Sequence, residues 1–139
     1  MTGTRIANSD PQAEIYYDGL SRGVILLQRC GDCNRLQYPP RLHCGRCGGR
    51  ELSWDEVEGT GTVYAKTVNR RAPEPAFEKF LPYVVALVDL DARVRVMARA
   101  DCPPGDVLTA MRVNVFPDPD PVVGPGLLFT PAPSGTGGA

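Results

Sequence analysis

The sequence predicts a mainly β protein in which an N-terminal helix leads into a cysteine-rich ribbon and then into a barrel of five strands. Fifteen glycines and fourteen prolines among 139 residues favour short strands joined by turns over a helical bundle. Four of the five cysteines form two Cys-x-x-Cys pairs within residues 30–47, and the valine-rich segments that could build a barrel follow them. The length fits one ordinary domain or two very small ones.

Residues 1–23 are predicted to form a tail and one helix. Asp10 suits the N-cap and Pro11 the first helical position, and a following glycine, Gly19 or Gly23, can end the helix. Apolar residues recur along one stripe: Ala13, Tyr16, Tyr17 and Leu20. The stripe favours packing on the chain's own domain. Because tyrosines also suit interfaces, two of these residues are candidate docking residues for a partner: Tyr16 and Tyr17.

Residues 24–56 are predicted to form a ribbon around the two cysteine pairs. Three short strands are indicated, by VILLQ (24–28), by RLQYPP (35–40), which two prolines stop, and by ELSWDEVEG (51–59). The unit is too small to bury a core of its own. A metal ion is the expected source of its stability.

The cysteine spacing predicts one structural zinc ion, held as in a rubredoxin-like zinc ribbon. Each Cys-Gly-x-Cys turn can present two thiolates, and two turns complete a tetrahedral shell with the ligands Cys30, Cys33, Cys44 and Cys47. A thioredoxin-like redox pair needs a single Cys-x-x-Cys at a helix start. Iron is chemically possible in a four-thiolate site. A closed shell of four cysteines leaves no position open for catalysis.

The positive charge of the chain is concentrated in the ribbon. Residues 21–50 contain six arginines against one acidic residue, Asp32, although the whole chain has a net charge of −1. Four thiolates around a dication leave two negative charges, so the metal explains part of this excess. The charge balance therefore does not by itself indicate a nucleic-acid partner.

Residues 57–132 are predicted to form an OB-type barrel, with an SH3-like barrel or half a sandwich as the competing shapes. The strand candidates alternate valine and tyrosine with polar residues; they are 61–69, 81–90, 93–100, 111–116 and 126–132. DLDAR (89–93) is typical of a hairpin turn, and CPPGDVLTA (102–110) could hold a helical turn. The glycine-rich end, 133–139, is predicted to be disordered.

No catalytic constellation is evident in the sequence. The single histidine, His43, belongs to the ribbon, Cys102 is expected to be a small buried hydrophobe, and the Gly-x-Gly at 59–61 lacks a third glycine and a following helix. Asp118 and Asp120 alternate with prolines in a segment expected to be exposed. Because neither a signal peptide nor an apolar run of membrane-spanning length is present, the sequence predicts a soluble, cytoplasmic protein.

These motifs together resemble a known family. The likeness covers most of residues 13–132 and is carried by the segments IYYDGLSRG, LLQRCGDCNRLQYPPRLHCGRCG, LSWDEVEGTGTVYAKTVN and PYVVALVDLD. It is the zinc-ribbon and OB-fold family known as domain of unknown function 35, often described as acyl-CoA-associated. The chain departs from it in the DLDAR turn, where many members carry a glycine after the acidic residues, and in GDVLTAMRV, which lacks a common Gly-Met pair.

The resemblance implies a partner rather than an independent enzyme. Such proteins commonly accompany thiolase-superfamily or lipid-transfer-protein-like enzymes that act on acyl-CoA thioesters, for example aldolase or lyase reactions in lipid and steroid side-chain breakdown. The chain would then be a non-catalytic subunit that stabilises its partner and shapes the CoA-ester site. Three arginines are candidate contacts for CoA phosphates: Arg41, Arg70 and Arg71. Two phenylalanines of the proline-rich loop are further candidate docking residues: Phe77 and Phe80.

Two other functions fit parts of the pattern. Zinc ribbons and OB barrels also bind single-stranded nucleic acids, but residues 51–139 have a net charge of −4, against the basic face that this function needs. A free-standing acyl-CoA binder is the other alternative. Calorimetry on the isolated chain would separate it from a subunit that needs a partner.

Overall fold

The computed structural model describes residues 11–118 and 126–132. The predicted N-cap Asp10, the tail 1–9 and the glycine-rich end 133–139 lie outside the described residues. Within that part of the chain, one helix is followed by eight strands. The bounds are α1 Pro11–Ser21, β1 Ile25–Cys30, β2 Leu36–Gln37, β3 Leu52–Val57, β4 Thr60–Asn69, β5 Tyr83–Leu90, β6 Val94–Ala100, β7 Arg112–Pro117 and β8 Leu127–Pro131. The predicted mainly β fold is confirmed.

Helix α1 ends at a glycine cap. Gly23 has φ +87°, its N–H donates to the Leu20 carbonyl at 3.0 Å, and the Val24 N–H donates to the Gly19 carbonyl at 2.9 Å. This pair of hydrogen bonds is a Schellman cap, which favours glycine because a side chain strains the left-handed conformation. Of the two glycines that the sequence offered as helix ends, the structure uses Gly23. The cap turns the chain directly into strand β1.

The ribbon is a three-stranded antiparallel sheet in the order β2-β1-β3. Strand β1 pairs with β3 along its whole length, from Ile25 opposite Val57 to Cys30 opposite Leu52. Strand β2 is only two residues long, because the two prolines that follow it in the sequence stop the ladder. The first cysteine of the metal cage therefore ends the central strand of the sheet.

The second sheet closes into a barrel with the strand order β4-β5-β6-β8-β7. Four of its five contacts are antiparallel, and β6 pairs with β8 in parallel. Five strands closed in this order form the Greek-key barrel of an OB fold. Gly59 lies against the backbone carbonyl of Val115 with no room for a Cβ atom, which explains the glycine where the chain enters the barrel.

The helix, the ribbon and the barrel share one hydrophobic core. Tyr16 and Leu20 of α1 pack in the same cluster as Ile25 and Leu27 of β1, and this cluster continues into the barrel through residues such as Val63. The ribbon thus buries its apolar side chains against the other two elements, as its small size requires. The described residues include no helix that is both long and apolar enough to cross a lipid bilayer.

Two segments next to barrel strands contain buried or half-buried side chains. The loop after β4 contains a 3₁₀ helix, Pro75–Phe80, in which Phe77 and Phe80 are half-buried: Phe77 packs on Tyr83 with a centroid distance of 5.8 Å. Asp118, expected to be exposed, is buried and paired with Arg99 at 2.9 Å. Asp120, the second aspartate of the same proline-rich segment, lies outside the described residues.

Candidate functional site

The structure brings the four predicted metal ligands together. The Sγ atoms of Cys30, Cys33, Cys44 and Cys47 all lie within 4.8 Å of one another. Cys30 and Cys47 are 3.5 Å apart, and Cys33 and Cys44 are 3.7 Å apart. Four sulfurs bound to one zinc ion at about 2.3 Å would be about 3.8 Å apart at tetrahedral angles. The donor set therefore fits one zinc ion, which agrees with the predicted cofactor.

The two cysteine turns have the same local geometry. Asn34 and Gly48, each four residues after the first cysteine of its pair, both have positive φ, 64° and 80°. Each N–H donates to the carbonyl of that cysteine, at 2.8 and 2.9 Å. Asparagine and glycine are the residues that tolerate this conformation best. The sequence therefore encodes each turn locally, before any metal binds.

Backbone N–H groups of the two turns donate hydrogen bonds to the cysteine sulfurs. Asp32 and Cys33 donate to Cys30 Sγ at 3.4 and 3.5 Å. Cys47 and Arg46 donate to Cys44 Sγ at 3.4 and 3.3 Å, and these two bonds lower the pKa of the Cys44 thiol to about 6. The Gly49 N–H lowers the pKa of Cys47, but its hydrogen bond with Cys30, its burial and the other two sulfurs outweigh this and raise it to about 12. Because metals bind thiolates rather than thiols, a metal ion has to displace the proton of this sulfur when it binds.

A buried glutamine holds the loop between the two cysteine pairs. The Gln28 amide donates to the Arg41 carbonyl at 2.8 Å, and its oxygen accepts from the Arg41 N–H at 2.8 Å and from Gln37 at 2.7 Å. Gln37 in turn accepts from the Gly45 N–H at 2.9 Å in the second cysteine turn. The sequence pattern does not indicate this network, since a glutamine in a short strand is ordinarily the exposed member of the alternation.

Replacing Gln28 with leucine is expected to lower the free energy of unfolding by about 2 kcal/mol, because the Arg41 backbone groups lose two partly buried hydrogen bonds. Urea denaturation of the zinc-loaded protein would measure this. Replacement of Ser53, on the exposed side of β3, with alanine is the control. Equal stability of the two variants would contradict a structural role for the network.

The junction between ribbon and barrel contains two clefts of opposite charge. The larger, about 640 Å³, has acidic walls, with Asp55, Glu56, Glu58 and Asp91 against a single basic residue, Arg29. Arg29 is paired with Asp55 at 2.6 Å. The smaller, about 350 Å³, is the basic cleft. Its wall contains five arginines: Arg35, Arg41, Arg46, Arg93 and Arg95. Only Arg41 among them was a predicted anion contact.

The three predicted CoA-phosphate arginines do not converge. Arg41 lines the basic cleft. Arg70 and Arg71 follow the C-terminal end of β4 and line neither cleft. Strand β4 has ten residues, which corresponds to about 30 Å. The arginines of the ribbon appear in the sequence as an excess of positive charge. That Arg93 and Arg95 lie beside them cannot be read from the sequence, because it depends on how the β5–β6 hairpin packs on the ribbon.

The predicted docking residues have different environments. Tyr16 is only 4% exposed and belongs to the core, so the prediction that it offers a docking surface is wrong for this conformation. Its ring packs edge-on against Tyr38, with a centroid distance of 6.0 Å, and burial raises the pKa of Tyr16. Tyr17, Phe77 and Phe80 are half-buried and stay predictions.

Comparison with known proteins adds independent findings. Residues 18–53 match the model "ChsH2, rubredoxin-like zinc ribbon domain", and residues 54–116 match "ChsH2, C-terminal OB-fold domain". A "DUF35 domain-containing scaffold protein" of Methanocaldococcus jannaschii is 36% identical over 96 residues, which are 67% of this chain and 67% of that protein.

Two further matches concern CoA and aldolase proteins by their names. A "Probable enoyl-CoA hydratase alpha subunit" of Thermomonospora curvata is 40% identical over 84 residues, which are 59% of this chain. The match spans only 25% of that relative's length. A solved structure, "Ltp2-ChsH2(DUF35) aldolase", superposes with a TM-score of 0.75 at 31% identity, and the match covers 89% of this chain and 97% of that one.

Proposed function

Because the chain belongs to the DUF35 family of zinc-ribbon and OB-fold proteins, we propose that it is the non-catalytic accessory subunit of a thiolase-superfamily complex that acts on acyl-CoA thioesters. The main support is its likeness over almost the full length of the DUF35 chain in an aldolase structure. The scaffold name of the archaeal relative agrees with such a role. In this proposal the zinc ribbon (24–56) and the barrel (57–132) act as one rigid platform in the cytoplasm, bound to the partner in a hetero-oligomer.

The reactive side chains of the described residues support placing the chemistry in the partner. His43 is exposed on the loop that precedes the second cysteine pair. Burial raises the pKa of the Cys102 thiol, and Asp106 and Asp101 raise it further, so its reactive thiolate is disfavoured at neutral pH. The remaining cysteines form the metal cage, a closed shell without an open coordination position.

The proposed reaction is carbon–carbon bond cleavage of an acyl-CoA, of the aldolase or lyase type, in lipid or steroid side-chain degradation. The aldolase name of the solved relative and the enoyl-CoA hydratase name of the Thermomonospora relative both support CoA-thioester chemistry. The subunit's part would be to stabilise the partner and to shape the entrance to its CoA-ester site. The match to one quarter of the Thermomonospora relative supports a module that occurs within longer chains.

Affinity purification from the native cell tests this proposal. The tagged chain is expected to recover a thiolase-like protein in a fixed ratio, with acyl-CoA cleavage activity in the eluate. A tagged Cys30→Ser/Cys33→Ser variant, which lacks half of the metal cage, is the matched control and is expected to recover much less partner. Recovery of the intact chain without any thiolase-like protein would contradict the proposed function.

A further inference from the structure

The two clefts at the junction between ribbon and barrel lie next to each other. Leu36, in β2, lines both of them. Along the β5–β6 turn the lining passes from one cleft to the other between consecutive residues: Asp91 and Ala92 line the larger cleft, and Arg93 and Val94 line the basic cleft. One continuous surface of the molecule therefore has an acidic half, which is the larger cleft, and a basic half, which is the basic cleft.

The basic half contains arginines without a counter-charge. Arg95 is paired with Asp89 at 2.6 Å. In the part of the chain that the structure describes, no carboxylate lies within 4.0 Å of the other four guanidinium groups, which are those of Arg35, Arg41, Arg46 and Arg93. All four residues are exposed. Like charges that are gathered in one concave surface repel one another, which favours an acidic surface bound opposite them.

The acidic half contains carboxylates that are free in the same way. Glu56 and Glu58 are both exposed. Among residues 11–118 and 126–132, no lysine or arginine nitrogen lies within 4.0 Å of either carboxylate. The ion pairs of this stretch of chain also include none that joins the acidic half to the basic half. The two halves are thus complementary in charge, and each is available to a partner.

The conformation of Arg93 is a further observation at the border between the two halves. Arg93 ends the tight turn between β5 and β6 with φ +72°, and its N–H donates to the Leu90 carbonyl at 2.9 Å. A three-residue hairpin loop favours glycine at this left-handed position. Arginine is strained there, and such strain is concentrated at functional sites. A function of the Arg93 side chain on this surface accounts for an arginine in place of glycine.

We infer that a second copy of this chain binds across the two clefts and forms a two-fold symmetric dimer. A two-fold axis between neighbouring acidic and basic surfaces places each surface against its opposite in the other copy, so both ionic contacts form together. The axis would pass near Leu36, which both clefts share. Long arginine side chains can extend from one concave wall to the facing one. Since the net charge of the chain is only −1, two copies repel each other little.

Sedimentation equilibrium of the full, zinc-loaded chain tests this inference. At low salt the average mass is expected to rise with protein concentration from that of one chain to that of two. It should then stay there, because a two-fold contact closes on itself. Added salt should return the mass to that of one chain, since salt screens exposed charges. A mass that stays at one chain at every concentration, or that grows beyond two chains, would overturn the inference.

Charge reversal shows which surfaces meet. Arg35→Glu/Arg93→Glu reverses charges in the basic half, and Glu56→Lys/Glu58→Lys reverses them in the acidic half. Each variant alone should self-associate about tenfold more weakly or worse, because like charges then face each other. An equimolar mixture of the two variants should form a mixed dimer, since each reversed half again meets its opposite. Absence of the mixed dimer from two folded variants would contradict the two-fold arrangement.

The control has the same charge change as the acidic-half variant but lies outside both clefts. Glu74→Lys/Glu78→Lys changes two exposed residues of the loop after β4 and should dimerise like the unaltered chain. Thermal melts establish that every variant is folded. Equal weakening in the control and in the cleft variants would show that net charge, and not these surfaces, governs association, and would overturn the inference.

A different occupant of the basic half would also be recognised. If the chain stays monomeric while its basic half binds a poly-glutamate peptide, an acidic partner other than a second copy occupies this surface, and the inference is overturned. Self-association needs no enzyme partner. Purification without a thiolase-like protein would therefore overturn only the proposed function, and a chain that is monomeric at all concentrations would overturn only the dimer.

Discussion

Replacing Cys30 or Cys44 with serine is expected to abolish stoichiometric zinc binding and to unfold the ribbon. Both residues are buried members of the four-cysteine cluster, and Cys30 is also the last residue of the central strand β1. A structural zinc site of this kind contributes about 10–16 kcal/mol of apparent binding free energy to a small domain. Three remaining thiolates without the fourth would hold the metal far more weakly. This is the largest effect that we expect from any single substitution.

The matched control for these variants is Cys102→Ser. Cys102 is half-buried and lies outside the cysteine cluster, so this variant should retain one zinc ion per chain. Zinc per chain by mass spectrometry of the metal, and hydrogen exchange of the β1 and β3 amides, would report binding and ribbon folding separately. Full zinc content with unchanged amide protection in Cys30→Ser would contradict the assignment of the cage.

Acid should have the same effect as the cysteine substitutions, but reversibly. A thiol whose pKa is lower in the folded chain than its ordinary value of 9.0 contributes stability at high pH and loses it as the pH falls through the folded value, about 6 for Cys44. Below that pH, protons compete with zinc for the sulfur. Zinc release followed with a colorimetric chelator should therefore increase as the pH falls through the acid range.

The local parts of the fold were predictable because short-range patterns encode them. The three- and four-residue spacing of Ala13, Tyr16, Tyr17 and Leu20 predicts α1. The Cys-x-x-Cys spacing predicts the cage because each turn is a local structure. The barrel strands also follow from alternation along β4 to β7. The closure of the barrel depends on a parallel contact between β6 and β8. No short segment encodes a pairing between distant strands, so closure could be predicted only from the number of strands.

The features that escaped prediction depend on contacts distant in sequence. Gln28 is buried because the loop that contains Arg41 folds back over it. The alternation of polar and apolar residues along a strand does not indicate that a distant loop covers one of its side chains. The basic cleft joins ribbon arginines to Arg93 and Arg95 across the junction between ribbon and barrel. Asp118 looked exposed because prolines flank it, whereas the arginine that buries it lies nineteen residues earlier. Composition predicts which charges exist, but the tertiary fold decides which of them meet.

The second large effect is expected at that buried ion pair. The guanidinium of Arg99, on β6, contacts the Asp118 carboxylate at 2.9 Å, and the side chains are only 13% and 7% exposed. Arg99 also lies over the Phe80 ring at 4.0 Å from its centroid, so it joins the 3₁₀ segment, β6 and the end of β7. Replacing Arg99 with methionine should lower the free energy of unfolding by about 3–5 kcal/mol, because a buried carboxylate loses its guanidinium partner.

An exposed ion pair of similar geometry provides the control for this prediction. Arg112 contacts Asp91 at 2.7 Å, but the two side chains are 51% and 54% exposed, so Arg112→Met should cost less than about 1 kcal/mol. The double variant Arg99→Met/Asp118→Leu should recover most of the loss, since it leaves no buried carboxylate that has lost its guanidinium. Guanidinium-chloride denaturation of the zinc-loaded variants measures all three. Equal losses of unfolding free energy in Arg99→Met and Arg112→Met would contradict the prediction, because they would show that burial does not strengthen the Arg99–Asp118 pair.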